Sequence, residues 1–261
     1  MSIQRIVLIG TGKVAQHLGT QLVAQGRTIA QVYGRRRAAS EALAHSLGAT
    51  ATQDWQQLYP DADLYLLAIS DRALPHVLEA WPDAIRQRAL IAHTSGATPA
   101  TVLAPYCARY GVFYPLQSFS PDRPANFHQI PICVFAQSAA DQSALVELAR
   151  DWGGGVHLLD DAQRAALHVA AVFVNNFSNH LFQIGADICT TEQLPFALLL
   201  PLIQETAAKV RQHPPRAMQT GPALREDLPT LLRHLDYLQS QPQWASLYRQ
   251  LSKSIQPNLP L

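Results

Sequence analysis

The stretch IGTGKVAQHLG, residues 9–19, contains two glycines and an alanine in the spacing Gly-x-Gly-x-x-Ala. It follows the apolar run RIVLI and leads into residues with helical periodicity, so we predict a strand, a tight turn and a helix. Gly10 would permit the turn, Gly12 would let a ligand approach the backbone, and Ala15 would let the helix pack closely on a sheet. Because the positive end of a helix attracts phosphate groups, a dinucleotide is the predicted ligand. The alternative is a glycine turn that binds nothing.

The first 160 residues alternate between short apolar runs and amphipathic stretches. Strands that are apolar throughout are typical of a parallel sheet covered by helices on both faces. The predicted strands span residues 5–10, 28–33, 64–70, 90–93, 112–114, 132–136 and 156–159, and the predicted helices span 13–25, 38–47, 74–81 and 140–152. Residues 1–160 are therefore predicted to form an α/β, Rossmann-type, mostly parallel sheet domain that binds the dinucleotide.

The chain changes character after residue 160, where strand patterns give way to helical ones. Predicted helices span residues 162–188, 195–210, 228–238 and 244–255. The first of these is apolar on most faces, so we expect partners all around it. We predict that residues 161–261 form an all-helical domain for substrate binding and dimerisation, with the ligand in the cleft between the two domains.

The composition excludes several classes of function. Only 15% of the 261 residues are charged and the net charge is +1, which provides no overall field for nucleic acid or a membrane surface. The three cysteines form no close pair, which favours a reducing compartment over a disulfide framework. We see no signal-peptide pattern, no membrane-spanning run and no metal-ligand spacing of histidines, so a cytoplasmic protein without a metal is expected.

The stretch VYGRRR, residues 32–37, stands where a Rossmann-type domain meets the adenosine ribose. An acidic residue at this point selects NAD, and none is present here. A guanidinium group instead binds the 2′-phosphate of NADP in a bidentate fork. We therefore predict NADP as cofactor, with Arg35 and Arg36 as the contacts and Arg37 as a less favoured one. The alternative is a turn with three solvated arginines.

The remaining candidate residues follow the later strands or lie on the long helix. Ser70, His93 and Thr94 should line the nicotinamide side, because ligands bind at the carboxyl ends of such strands. His168 and Asn176 share one face of the long helix, and a histidine can supply the proton that accompanies hydride transfer. Alternatively, these polar groups only bridge neighbouring helices.

The candidate site divides into two sets of residues. The predicted cofactor-binding residues are Gly10, Thr11, Gly12, Lys13, Val14, Ala15, Gly34, Arg35, Arg36, Ser70, His93 and Thr94. The predicted catalytic residues are His168, Asn176, Ser95 and Gln117.

Six stretches together carry a resemblance to a known family. They are LIGTGKVAQHLG, HTSGAT, YPLQSFS, HVAAVFVNNFSNHL, PLIQETAAK and QTGPALRED. The chain resembles, over nearly its whole length, a bacterial family with a Rossmann-like N-terminal domain and a C-terminal helical domain of unknown function. That family looks like a relative of pyrroline-5-carboxylate reductase, the 3-hydroxyisobutyrate and 6-phosphogluconate dehydrogenases, and the deazaflavin-dependent NADP reductases. The resemblance implies an NADP site and a helical domain similar to the C-terminal domain of 6-phosphogluconate dehydrogenase, often dimeric.

One departure from these relatives bears on the reaction. The hydroxyacid dehydrogenases have a lysine and an asparagine one turn apart on the long helix, whereas this helix has His168 with Asn175 and Asn176. Lysine-assisted alcohol oxidation is therefore disfavoured, and hydride transfer between NADP(H) and a small imine or carbonyl remains. The residues leave two alternatives open: an NADP-binding sensor or scaffold without turnover, and a deazaflavin-dependent NADP reductase.

Overall fold

The computed structural model describes residues 2–120 and 122–261. The first part of the chain is organised around one eight-stranded sheet. The strands are β1 Arg5–Ile9, β2 Thr28–Tyr33, β3 Thr50–Thr52, β4 Leu64–Leu67, β5 Leu90–His93, β6 Arg109–Pro115, β7 Ile132–Ala136 and β8 Val156–Leu158. Their order is β3-β2-β1-β4-β5-β6-β7-β8, and neighbouring strands are parallel except for β6 and β7. The prediction of a mostly parallel, Rossmann-type sheet is confirmed.

Helices cover both faces of this sheet. They are α1 Lys13–Ala24, α2 Arg37–Leu47, α3 Leu74–Glu79, α4 Asp83–Arg88 and α5 Ala139–Ala149, and the helix α6 Asp161–Ala171 follows β8. Alternate residues of β1 point to opposite faces, so Ile6 and Leu8 belong to one buried cluster and Val7 and Ile9 to another. Burial on both faces explains why the strands are apolar throughout.

The long helix predicted over residues 162–188 is a continuous helical stretch with a change in its middle. After α6, a π-helical segment, Val172–Phe177, leads into α7, Ser178–Thr191. Asp160 and Gln163 form a capping box at the start of α6. A π-helical segment widens the helix and shifts the face on which the following residues lie, and such segments are frequent at functional sites.

The described chain divides into two compact units after Asn176. The sheet and α6 belong to the first unit, whereas the predicted change of domain stands at residue 160, where the sheet ends. The second unit contains α7, α8 Leu200–Lys209, α9 Leu228–Tyr237 and α10 Pro242–Ile255. No strand occurs among its described residues, in agreement with the predicted all-helical domain.

Several large apolar side chains are exposed in the single chain. On α6 and the π-helical segment, Val169 is 57% and Val174 is 76% exposed. In the second unit, Leu198 is 66% and Leu202 is 64% exposed. The expectation that partners surround the long helix is therefore not met for Val169 and Val174 among the described residues. Over the described ranges, no helix has both the length and the apolar character needed to cross a membrane.

Candidate active site

The turn between β1 and α1 depends on Gly10. Its φ is +120°, a backbone conformation that glycine adopts readily and other residues rarely do. A Cβ atom at this position would overlap the carbonyl group of Ala68, directly after β4. The Gly10 N–H donates to the carbonyl of Tyr33 at 2.9 Å. The turn is therefore fixed against the ends of both strands that flank β1.

The first turn of α1 presents free backbone groups to open space. Gly12 is the N-cap residue, and no side chain caps the helix there. Nothing lies within 4 Å of the position that a Cβ atom of Gly12 would occupy. The first turn contains no acidic side chain, so the positive end of the helix is not neutralised locally. Ala15 instead is fully buried in the same core cluster as Leu8, under the helix.

A cavity of about 1200 Å³ opens at the carboxyl ends of β1, β2, β4 and β5. The described lining residues are Ile9, Gly10, Thr11, Gly12, Lys13, Val14, Tyr33, Gly34, Arg35, Arg36, Trp55, Ala68, Ile69, Ser70, Arg72, Ala73, Val77 and Thr94. Four of these carry a positive charge (Lys13, Arg35, Arg36 and Arg72), and none of them carries a negative one. This cationic cavity attracts anions without a competing carboxylate in its described wall.

The three arginines after β2 have different surroundings. Arg37 pairs with Glu41 at 2.7 Å on the exposed surface of α2 and does not appear in the described cavity wall. Arg35 and Arg36 line the cavity, and neither forms an ion pair with any described residue. Two guanidinium groups are therefore available to a ligand, while the third is engaged by its own helix.

An aromatic wall borders the arginine end of the cavity. The rings of Tyr33 and Trp55 stack with centroids 3.4 Å apart and planes 20° from parallel. Burial raises the pKa of the Tyr33 hydroxyl, and nearby Arg35 acts in the opposite direction. Gly34 keeps this corner narrow, since a Cβ there would come within 2.6 Å of Thr11 Cγ2. A stacked pair of this kind offers a flat apolar surface to a planar ring.

The turn after β5 contains two predicted site residues with different roles. Thr94 faces the cavity, and Ser95 stabilises the turn. Thr94 lines the cavity, and its hydroxyl donates to the Leu67 carbonyl at 3.3 Å. Ser95 Oγ accepts hydrogen bonds from the N–H groups of Ala97 at 3.2 Å and Thr98 at 2.9 Å. The Ser95 hydroxyl oxygen therefore holds the turn in shape.

His93 is fully buried beneath this turn and outside the described cavity wall. Its Nδ1 accepts the Ser95 N–H at 3.1 Å, which assigns the ring proton to Nε2. Burial, aided by the positive charge of Arg164, lowers the pKa of His93 to about 4. The carbonyl of Pro99 acts in the opposite direction but makes no well-formed hydrogen bond with Nε2. His93 is therefore neutral at physiological pH and supports the turn.

Three segments distant in sequence meet beside this turn. The Tyr114 hydroxyl, near the end of β6, lies 3.3 Å from Nδ1 of His168 on α6. The backbone of Gly96 packs closely against both residues. A Cβ atom at this position would lie 2.6 Å from His168 Nδ1 and 2.9 Å from the Tyr114 hydroxyl oxygen. Burial raises the pKa of Tyr114, so its hydroxyl keeps its proton at neutral pH.

An ion pair between the buried Arg164 and the partly exposed Asp161 connects the same turn to α6. Arg164 is only 1% exposed, and its Nη2 donates to the Thr98 carbonyl at 2.6 Å and to Asp161 Oδ1 at 2.8 Å. The same Asp161 oxygen accepts the Ala100 N–H at 2.9 Å. These bonds fix the turn on which Gly96 lies.

Gly96, Tyr114 and His168 thus lie in contact, and the buried Arg164 lies one helical turn before His168 on α6; we call these four residues the Tyr114 cluster. The sequence analysis did not single out Arg164, and Tyr114 entered it only as the last residue of the predicted strand 112–114 and within the stretch YPLQSFS. One signal was available, since Arg164 and His168 are four residues apart and therefore share a helix face with Asp161.

Two other predicted residues lie apart from this cluster. Asn176 is exposed in the π-helical segment. Gln117 is exposed as well, and its Oε1 accepts the N–H of Ser118 at 2.8 Å. Neither hydrogen-bonds to Tyr114 or His168 among the contacts of the described residues. Within the same residues, no three His, Cys, Asp or Glu side chains group closely enough to hold a metal ion.

Comparison with solved structures identifies the family to which the chain belongs. A Bacteroides fragilis protein, provisionally described as an NADP oxidoreductase, is 37% identical, with a TM-score of 0.88 over 98% of this chain and 99% of that one. The chain belongs to this oxidoreductase family. Residues 5–96 match the family "NADP oxidoreductase coenzyme F420-dependent", and residues 130–255 match a domain of unknown function, DUF2520. The resemblance to a two-part family is confirmed.

More distant structures share the fold of this oxidoreductase. The imine reductase of Streptomyces aurantiacus is 15% identical, with a TM-score of 0.69 over 97% of this chain and 95% of that one. The 1-pyrroline-5-carboxylate reductase of Streptococcus pyogenes is 16% identical, with a TM-score of 0.63 over 97% and 98%. No protein of curated function matches the chain.

Proposed function

We propose that the protein is an NADPH-dependent oxidoreductase that transfers a hydride between NADP(H) and a small imine or carbonyl compound. The observation that carries this proposal is the cationic cavity, which has four positive side chains and no carboxylate in its described wall. A phosphorylated dinucleotide is the ligand class that this charge and the open first turn of α1 suit.

Different lining residues would bind different parts of the cofactor. The N-terminal amides of α1, with Gly12 and Lys13, would hold the pyrophosphate, and Arg35 and Arg36 would hold the 2′-phosphate. The stacked rings of Tyr33 and Trp55 offer a surface for the adenine. Ser70 and Thr94 would border the nicotinamide, since they follow β4 and β5. Bound NADPH supplies the hydride.

The substrate class rests on two further observations. The long helix contains His168, Asn175 and Asn176 but no lysine, whereas the hydroxyacid dehydrogenases have a lysine and an asparagine one turn apart on it. The imine reductase and the pyrroline-5-carboxylate reductase that share the fold both reduce C=N bonds by their names. Reduction of a C=N or C=O group requires a proton as well as a hydride, and His168 is proposed to take part in its supply. Asn176, Ser95 and Gln117 remain proposed substrate-side residues.

The proposed selectivity is tested by replacing the two free arginines. Each charge-assisted hydrogen bond contributes roughly 1.5 to 3 kcal/mol, so R35A/R36A should weaken NADPH binding about 100-fold or more. NADH affinity should stay within about twofold. Arg37→Ala is the matched control, because Arg37 pairs with Glu41 and does not line the cavity. Equal losses for NADPH and NADH, measured by nicotinamide fluorescence, would overturn the assignment of the arginines.

A second candidate function follows from the family matched by residues 5–96, whose description names coenzyme F420. In that case a reduced deazaflavin would exchange a hydride with NADP⁺ in the same cavity. Mixing the protein with NADP⁺ and reduced deazaflavin decides this, because NADPH formation is visible at once in absorbance. Tight NADPH binding without any turnover would instead favour a sensor or scaffold.

We further propose a homodimer. Large exposed apolar surfaces mark interaction sites, and Val169, Val174, Leu198 and Leu202 are all more than half exposed in the single chain. Light scattering after size exclusion should give twice the 28.7 kDa chain mass. Val174→Glu or Leu202→Glu should shift the protein toward the monomer. A monomeric wild-type protein at micromolar concentration would contradict the dimer.

A further inference from the structure

We infer that Tyr114 is the residue that delivers the proton to the substrate, and that His168 is a positioning residue that resupplies Tyr114. This inference rests on the proposed function. It assigns the terminal proton donor to a residue of the sheet, whereas the sequence pointed to the histidine of the helix.

The position of Tyr114 supports this role. Leu67, His93 and Tyr114 stand at or near the carboxyl ends of the adjacent strands β4, β5 and β6. Thr94, directly after His93, lines the cationic cavity, and Gly96, two residues later, touches both Tyr114 and His168. The Tyr114–His168 pair is therefore at most one short turn away from the end of the cavity that Thr94 marks.

The proposed order of the two residues corresponds to the tautomer of His168 that carries its proton on Nδ1. His168 Nδ1 faces the Tyr114 hydroxyl and the Gly96 backbone, so this nitrogen is engaged with Tyr114. A histidine with its proton on Nδ1 donates it to the tyrosine oxygen, which leaves the hydroxyl proton free for a substrate. His168 therefore acts through Tyr114.

The charges around Tyr114 suit an acid that must give up its proton and recover it. Burial, Cys133 on β7 and Asp71 after β4 raise the pKa of Tyr114, whereas Arg164 on α6 lowers it. Tyr114 thus keeps its proton at neutral pH, and the fixed guanidinium of Arg164 stabilises the phenolate left after transfer. The Nη2 group of Arg164 is held by the Thr98 carbonyl and Asp161.

The proposed step conserves atoms and electrons. The substrate carbon accepts the hydride with its two electrons, and the π pair of the C=N or C=O bond moves to the nitrogen or oxygen. That atom forms a new bond to the Tyr114 proton, and the electron pair of the broken O–H bond stays on the tyrosine oxygen. The oxygen then takes the Nδ1 proton of His168. Nε2 of His168 takes a proton from water, which leaves hydroxide in the solvent, and exchange with water returns the ring proton from Nε2 to Nδ1 before the next turnover.

The first test compares Tyr114→Phe with Tyr110→Phe, which removes a hydroxyl from the same strand outside the cluster. With NADPH, the probes are pyrroline, a cyclic imine, and benzaldehyde, a carbonyl. Loss of a general acid lowers kcat by roughly 100-fold or more. Tyr114→Phe should show this loss while NADPH affinity, measured by fluorescence, changes less than twofold. Tyr110→Phe should change neither. Retention of kcat within threefold by Tyr114→Phe would overturn the inference.

The pH dependence separates the two residues. With benzaldehyde, which does not titrate, wild-type kcat should stay level from pH 6 to 9, since Tyr114 keeps its proton throughout. A fall in kcat centred at about pH 6.5, where histidines ordinarily titrate, would assign the terminal donor to another group and overturn the inference. His168→Gln should lower kcat less than Tyr114→Phe does.

The second test needs neither turnover nor cofactor. In protein labelled with ¹⁵N-histidine, the His168 signal is assigned by its absence in His168→Gln. Tyr114→Phe should shift the Nδ1 resonance of His168, and Tyr110→Phe should leave it in place. An unshifted resonance in Tyr114→Phe would show that the pair does not form. Failure of wild-type protein to bind NADPH would contradict the proposed function, and the His168 resonance would still decide the pair.

Discussion

The cationic cavity and the Tyr114 cluster lie at the same edge of the sheet, yet they are built in opposite ways. The cavity takes its residues from short continuous segments and exposes Arg35 and Arg36, neither of which pairs with a carboxylate in the described part of the chain. The Tyr114 cluster joins three distant segments and encloses one arginine that is 1% exposed. This difference indicates that the cationic cavity is suited to binding an anionic ligand and the Tyr114 cluster to fixing the position of a proton.

The largest expected effect concerns the turn beneath the cavity. Gly10→Ala forces a strained φ and an overlap with the Ala68 carbonyl, which together should cost about 4 kcal/mol of unfolding free energy. Gly26→Ala is the control, because Gly26 also has a positive φ but nothing within 4 Å of its Cβ position. Urea unfolding measures both. Equal losses would show that Gly10 is needed only for its backbone angle.

The next effect concerns the ion pair beneath the Tyr114 cluster. Asp161→Ala leaves the buried Arg164 charge without its anion and removes the acceptor of the Ala100 N–H, at a cost of about 3 to 4 kcal/mol. The exposed Arg37–Glu41 pair provides the contrast, since Glu41→Ala should cost less than about 0.5 kcal/mol. Similar losses in the two variants would mean that Arg164 does not depend on Asp161.

His93 should make the stability of the turn depend on pH. Its pKa is lowered from 6.5 to about 4 in the folded protein by burial and by Arg164, against the opposing effects of the Pro99 carbonyl, Asp71 and Asp161. Below pH 6.5 the unfolded chain binds the proton first, so up to about 3 kcal/mol of stability is lost as the pH falls from 6.5 to 4.

This pH dependence is checked by unfolding at pH 7.5, 6 and 4.5. His93→Asn should flatten the fall in stability, whereas replacement of the exposed His45 by Asn should not. A wild-type slope that survives in His93→Asn would place the titrating group elsewhere.

The smallest expected change in stability separates the needs of the fold from those of ligand binding. Gly12→Ala adds a Cβ to open space at an ordinary φ of −76°, so the unfolding free energy should change by less than about 1 kcal/mol. The same Cβ stands where a pyrophosphate would approach, and NADPH affinity should fall about tenfold, or 1.4 kcal/mol. Unchanged affinity would mean that no ligand comes close to Gly12.

The sequence predictions were most accurate where they depended on local patterns. The bounds of β2, β5 and β7 were predicted to the residue, and Gly10, Gly12, Arg35 and Arg36 all line the cavity, as the order of turn and strand suggested. These features depend on residues that are neighbours in the chain. β3 was missed because a three-residue strand gives too short a periodicity, and Trp55, which follows it, was missed as well.

Features that depend on distant segments could not be predicted in this way. Chain order alone does not predict the hydrogen bond between Tyr114 and His168 or the close approach of Gly96 to both. Side chains also alternate along a strand, so Thr94 reaches the cavity while His93, one residue earlier, points into the core. The π-helical segment was missed because its apolar spacing is compatible with an ordinary helix.

The most direct test of the central claim is a parallel titration of the wild-type protein with NADPH and NADH. The two cofactors differ only in the 2′-phosphate, which is the group assigned to Arg35 and Arg36. We expect NADPH to bind about 100-fold more tightly than NADH, with the preference decreasing as the salt concentration rises. Equal affinity for the two, or no binding of either, would contradict the assignment of the cationic cavity to NADP.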